Sequence, residues 1–196
     1  PTHKEINNYY NLDDYDPHVM KDRGLWKQVY KRVQSVTLYW KYRKIFSHKS
    51  SGIILDIGGG QGKFAHYMAE KKWNVYFQDE HTDLKRTTVY NKIQSYKLLK
   101  HIDDVGDFTV ISLWHSLEHI HDIDYVMKYI YKYLDQDGVA AIAVPNLNAP
   151  ERSILGRNWA PYDPPRHLYH FNLQSFESLC DKFKLKIIRK YSLYQD

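Results

Sequence analysis

At 196 residues and 43% apolar content, the chain is sized for one well-cored domain, and its composition excludes disorder as the default. No stretch reaches the roughly 18 uninterrupted apolar residues of a membrane span, charges break the first apolar run as no signal peptide would, and the lone Cys180 excludes a disulfide scaffold or Cys-based zinc site, which fits a reducing cytoplasm. The net charge of +5 is concentrated in residues 21–49, where nine Lys and Arg face the single acid Asp22.

Residues 1–22, rich in Tyr and Asp and without a sustained period, read as a loose arm, and the start at Pro1 rather than Met fits a fragment. Residues 25–46 read as a helix, with Trp26, Val29, Tyr30, Val33 and Trp40 recurring at three- and four-residue steps. The arm and this basic helix, residues 1–49, are expected to pack on a core domain of residues 50–196. After the turn Ser50-Ser51-Gly52, residues 53–57 form an apolar run suited to a strand buried on both faces. A glycine turn at 58–62, a helix at 63–72 and a strand at 74–78 follow.

Residues 82–95 read as a helix, with a third strand somewhere in 96–102. Residues 108–113 are a clearer strand. Ile123, Val126, Met127, Ile130 and Leu134 mark an amphipathic helix, stopped by the turn Asp135-Gln136-Asp137-Gly138. A buried strand at 139–144, a long loop at 146–171, a helix at 173–183 and a final strand at 185–191 complete the chain. Strands alternating with helices predict an α/β domain with a mainly parallel sheet.

The central motif is Asp56-Ile57-Gly58-Gly59-Gly60-Gln61-Gly62, between a predicted strand and a predicted helix. Glycines there let the backbone approach a ligand and let the helix start tightly against the sheet. The third glycine of a dinucleotide fingerprint is absent, since Lys63 stands in its place. A P-loop fails as well, because Phe64 follows Gly62-Lys63 where Ser or Thr is needed. The acid ahead of the turn suits a ligand with an amino group. Asp79 ends the next strand 17 residues after Gly62, where a carboxylate can accept hydrogen bonds from ribose hydroxyls.

With these residues in view, the chain resembles the class I S-adenosylmethionine-dependent methyltransferases over roughly residues 50–190. The resemblance is carried by LDIGGGQG at 55–62, VYFQD at 75–79, FTVISLWHSLEHIHD at 108–122, LDQDGVAAIAVPN at 134–146 and WAPYDPPRHLYHF at 159–171. These blocks are similar to a bacterial subgroup associated with surface-glycan or lipid modification, and more distantly to ubiquinone-biosynthesis O-methyltransferases. The resemblance implies a Rossmann-like sheet flanked by helices and S-adenosylmethionine as cofactor. It implies that Asp56, Gly58 and Gly60 line its methionine end, that Asp79 holds its ribose, and that Trp114 and His115 flank its sulfonium; Gln61 in the same turn is a further cofactor-binding candidate. The chain departs from the family at Gly59, usually Cys or Ser, and at Gln61, usually Thr or Ser. One strand follows the last helix where the fold has two, so either the C-terminus is missing or the sheet edge is built differently.

Methyl transfer to a hydroxyl needs alignment and a base with a pKa near neutrality, a role that suits histidine. His119, with Glu118 beside it, is the candidate base and His115 the alternative; the other reading of His119 is a packing or capping residue. The string His115-Ser116-Leu117-Glu118-His119 also fits the H-x-x-E-H pattern of inverted zinc peptidases, but it begins at a strand end. In ubiquinone-type relatives the resemblance implies a divalent ion held by acids and a His at this block; here His115 replaces one acid, so no metal ligands are assigned and a bound ion stays as the alternative. Tyr162, Arg166 and His167 in the long loop are candidate acceptor-binding residues, with Arg166 suited to a carboxylate or phosphate. The alternative for this segment is an ordinary Pro-stiffened surface loop.

The basic helix has three readings: a wall for the pocket, a peripheral contact with anionic lipid, or a nucleic-acid contact, the last without any accompanying motif. The expected activity is O-methylation of a small or carrier-linked acceptor, with no nucleic-acid partner. The alternative is a degenerate S-adenosylmethionine-binding module.

Overall fold

The computed structural model describes residues 25–81, 93–102 and 105–192, together with Thr2, Glu5 and Tyr9. Most of the expected arm and residues 82–92 of the expected helix lie outside the described residues. Helix α1 (Leu25–Phe46) leads into strand β1 (Ile53–Ile57), helix α2 (Lys63–Glu70) and strand β2 (Asn74–Gln78). Strands β3 (Ile93–Tyr96) and β4 (Phe108–Trp114) follow, then helix α3 (Ile123–Tyr133), strand β5 (Leu134–Ala143), and helices α4 (Pro150–Leu155) and α5 (Leu173–Lys182).

The described strands form one five-stranded sheet of order β3-β2-β1-β4-β5, with every neighbouring pair parallel. The winding reverses between β1 and β4. In such sheets the crevice at the carboxyl ends of those two strands is where ligands bind. Alternate residues serve opposite faces. Leu55, Ile57, Ile111 and Leu113 pack with Val126, Met127 and Ile130 of α3. Ile54, Val75, Phe77 and Val110 pack on the other face with Phe64, Ala65 and Met68 of α2 and with Ile45 of α1. Two helix starts are capped locally: Asp122 accepts from the Tyr125 amide, and Asn172 forms a reciprocal box with Ser175.

Four expectations are corrected. The third strand is 93–96, earlier than expected, so the tail of the predicted 82–95 helix is strand; Ile93 packs beside the buried Val75–Phe77 run. Strand β5 starts at Leu134 and carries Asp135–Gly138 as an exposed bulge. Its register with β4 shifts between Phe108 and Val110, so the turn-forming residues leave the ladder without ending the strand. The 146–171 loop contains α4 and two 3-10 turns, and its base is closed by a bridge between Asn146 and Phe171. Residues 185–191 form no strand: Lys186, Ile188, Lys190 and Tyr191 are exposed or half-buried there, and only Leu185 reaches the core.

Candidate active site

The glycine turn is clipped to the end of β2. The Gly58 and Gly59 amides donate to the Gln78 carbonyl, and the Gly60 amide donates to Asp79 Oδ2 at 2.8 Å. The other Asp79 oxygen accepts from the His81 amide. Gly58, Gly60 and Gly62 all take positive φ. A Cβ at Gly58 would lie 2.5 Å from the Ser116 Cβ, and one at Gly59 would lie 2.5 Å from Asp56 Oδ2. At position 59 the backbone as it stands leaves room only for glycine, because a Cβ would press on Asp56 and Phe77. At Gly60 nothing lies within 4 Å of a built Cβ, so its backbone borders open space. Gln61 is exposed beside it.

Asp56 lies beneath the turn, 1% exposed. Ser112, its register partner on β4, donates to Asp56 Oδ1 at 2.6 Å. Oδ2 is buried without a hydrogen-bond partner. Burial pushes the carboxyl up to about 7; Asp79 pushes in the same direction, while the Ser112 bond and the Lys41 charge oppose it. Ser116 Oγ donates to the Ile57 carbonyl and ties the two strand ends together. Trp114 packs edge-on against Phe64, with Lys41 Nζ 4.9 Å from its ring centre and its indole nitrogen buried without a hydrogen-bond partner. An orphaned, buried carboxylate oxygen below an open glycine backbone fits a ligand bearing an ammonium group.

The second half of the site begins where β4 ends. His115 takes φ 55°, a left-handed conformation uncommon for a side-chain-bearing residue, and its amide donates to the Ala143 carbonyl. Its Nδ1 stands 3.5 Å from Glu118 Oε1. Glu118 is fully buried, and neither of its carboxylate oxygens has a hydrogen-bond partner. The 165–169 segment is laid over this turn. The Leu168 and Tyr169 amides both donate to the Glu118 carbonyl, and Tyr169 Oη donates to the His121 carbonyl.

His119 Nδ1 lies 3.1 Å from the Arg166 carbonyl. A carbonyl only accepts, so Nδ1 carries the proton and the imidazole's basic nitrogen is Nε2. Burial holds the His119 imidazole below the usual histidine range, with His167 adding to that and Glu118 opposing it. The His119 and His167 rings meet edge-to-face at 4.5 Å. His167 Nδ1 donates to the Pro161 carbonyl at 2.7 Å.

The structure brings His115, Glu118, His119 and His167 together, and places Asp56, Gly58, Gly60, Gln61, Asp79 and Trp114 around the crevice of β1 and β4. Arg166 and Tyr162 have partners within the loop: the Arg166 guanidinium meets Asp163 at 2.6 Å, and Tyr162 Oη accepts from Arg152 Nε at 2.7 Å. Ligand atoms of Glu118, His119 and His167 lie within 4.8 Å of one another, close enough to hold a metal ion. Sequence reasoning missed Ser112, Ser116 and Lys41. A lone serine inside the apolar β4 run was a readable signal; Lys41 was one of many lysines, and only the packing of α1 singles it out.

No curated protein matches the chain. Among solved structures it is similar to an S-adenosylmethionine-dependent methyltransferase from Archaeoglobus fulgidus, at 16% identity and a TM-score of 0.61, covering 82% of this chain and 74% of that one. It is also similar to 1,6-didemethyltoxoflavin-N1-methyltransferase from Burkholderia thailandensis, solved with 1,6-didemethyltoxoflavin and S-adenosylhomocysteine. That likeness has 16% identity and a TM-score of 0.58, over 81% and 73% of the chains. The plantazolicin methyltransferase BpumL, solved with a pentazolic analogue and S-adenosylhomocysteine, matches at 16% identity and a TM-score of 0.60, over 92% and 69%. These likenesses establish a shared fold. A family profile described as "Methyltransferase domain" matches residues 25–190, most of the chain including α1. This protein therefore belongs to the methyltransferase-domain family, on a Rossmann-like parallel sheet.

Proposed function

We propose that the chain transfers a methyl group from S-adenosylmethionine to the oxygen of a small or carrier-linked acceptor. The observation that carries this reading is the pairing of two features at the ends of β1 and β4. One is a buried, half-satisfied Asp56 beneath an open glycine turn. The other is a half-buried His119, held below the usual histidine range, whose tautomer is set by the Arg166 carbonyl. When bound, the cofactor supplies an activated methyl group on sulfur and leaves as S-adenosylhomocysteine.

The chain's own residues do the rest. Asp56 Oδ2 receives the cofactor's ammonium, the Gly58, Gly60 and Gln61 backbone borders its methionine end, Asp79 takes the ribose, and Trp114 and His115 wall the sulfur. His119 would take the acceptor's hydroxyl proton on Nε2, leaving the oxygen to receive the methyl group the cofactor supplies. Buried beside it, Glu118 stabilises the imidazolium that forms. Burial of these groups excludes water and strengthens their fields. Tyr162, Arg166 and His167 shape the acceptor side. Helix α1 packs on the core through Leu38, Tyr42 and Ile45, and the lone Cys180 suits a reducing cytoplasm. Turnover in excess chelator tests whether an ion held by Glu118, His119 and His167 takes part.

Calorimetric titration with S-adenosylhomocysteine, beside NAD and an Asp79→Ala variant, tests the cofactor. Saturable binding, weakened in the variant and absent for NAD, is expected; no binding by a folded sample overturns the reading. Matched hydroxyl and amine acceptors then decide between oxygen and nitrogen. The absence of a strand at 185–191 favours a second reading, a cofactor-binding module without turnover, which detectable methylation of any acceptor removes.

A further inference from the structure

Helix α1 is apolar on two sides. Its inward side sets Leu38, Tyr42 and Ile45 against the α2 face of the sheet. On the outward side Val29, Val33, Val36, Tyr39 and Phe46 are exposed, Val36 at 60% and Tyr39 at 53%. Arg32 and Arg43 are exposed among them. At 3.6 residues per turn these seven positions fall within about 140° of the helix circumference. A helix packed on a core ordinarily turns a polar face outward, and one apolar all round is covered on every side. Exposed valines also carry a helix-propensity cost.

Charge limits what covers this face. Between residue 25 and Asp56 the chain carries seven Lys and Arg and no acid. A second copy docking through the same face would set these cations against their equals. A nucleic acid would engage the arginines and leave the valines and aromatics in water. The face calls for a surface both anionic and apolar. We propose that α1 docks in the plane of an anionic bilayer, with headgroup phosphates at Arg32 and Arg43 and the Val29–Phe46 stripe at the acyl boundary. No helix among the described residues is long and apolar enough to cross a membrane, so the contact is peripheral. This docking is independent of the methyl-transfer reading, but it bears on the same site: Lys41, on the inner side of α1, stands over Trp114.

The test is co-sedimentation of the full chain with vesicles of phosphatidylcholine alone or mixed with phosphatidylglycerol, at low and high salt. Binding is expected only to the mixed vesicles, lost at high salt, and weakened about 30-fold in Arg32→Gln/Arg43→Gln, which removes two surface cations. A Val33→Asn/Val36→Asn variant weakens it while leaving the melting temperature unchanged. Equal binding to neutral vesicles, no binding at low salt, or unaltered binding by both variants overturns the proposal. So does self-association by light scattering that Val36→Glu dissolves, since the face would then belong to a second copy. Tight binding to polyglutamate but not to vesicles would assign it to an acidic protein.

Discussion

The two halves of the candidate site are built differently. The glycine-turn half is drawn mostly from neighbouring strand ends: Asp56 to Gly62 and Asp79 are joined by backbone amides to a carbonyl and a carboxylate, with Ser112 and Ser116 as side-chain ties to β4 and the turn after it. The histidine half joins residues almost fifty positions apart, with His119 held by the Arg166 carbonyl and the Glu118 carbonyl capped by Leu168 and Tyr169. Local geometry makes the first half rigid. Tertiary closure of the 146–171 loop makes the second, so the two halves are expected to fail in different ways when mutated.

The sharpest break is His119→Ala. Turnover is expected to fall by about 10²–10⁴-fold, with affinity for S-adenosylhomocysteine unchanged in calorimetry. An equal loss in cofactor affinity would merge the two halves into one.

The Asp56 carboxyl separates them by pH. Its folded pKa, about 7, is raised above the unfolded value near 3.8, so the native state holds this proton more tightly than the unfolded chain does. Stability from this group is full below the unfolded pKa, falls as pH rises from there to about 7, and levels off above. Asp56→Asn is therefore expected to raise stability by roughly a few kcal/mol at pH 8 and by almost nothing near pH 4. Denaturant melts across that range check it, and a pH-independent difference would count against the buried acid as its source.

Asp79→Ala removes both the ribose acceptor and the anchor of the Gly60 amide. Cofactor affinity is expected to drop by about 10–100-fold, the loss of one or two charge-assisted hydrogen bonds. Gly59→Ala probes the turn without touching a polar group. Its methyl would press on Asp56 and Phe77, at an expected cost of about 1–3 kcal/mol, read as a fall of several degrees in melting temperature.

Each half was legible to a different degree. Strands β1 and β2 stand where their apolar runs place them, and Asp56 and Asp79 stand at or next to their carboxyl ends. Buried parallel strands have one dominant signal, a continuous apolar run, and glycines suit the positive φ that the turn takes at 58, 60 and 62. The third strand was misplaced because its burial is only partial and its apolar run short. The 185–191 segment reads as a strand by propensity, yet no described partner edge pairs with it. That is a property of the sheet, not of the segment.

The amino-acid order by itself determined the alternation of strands and helices, the glycine turn, the acids that flank it and the cluster of histidines after β4. Those follow from local backbone preferences and from apolar periodicity, which act within a few residues. Tertiary structure alone decided that His119 presents Nε2, that the Glu118 carboxylate is buried while the Leu168 and Tyr169 amides hold its backbone carbonyl, and that Lys41 is set over Trp114. A tautomer, a buried carboxylate and a cation over a ring each depend on which distant backbone carbonyl, amide or helix comes into contact, and no local rule carries that information.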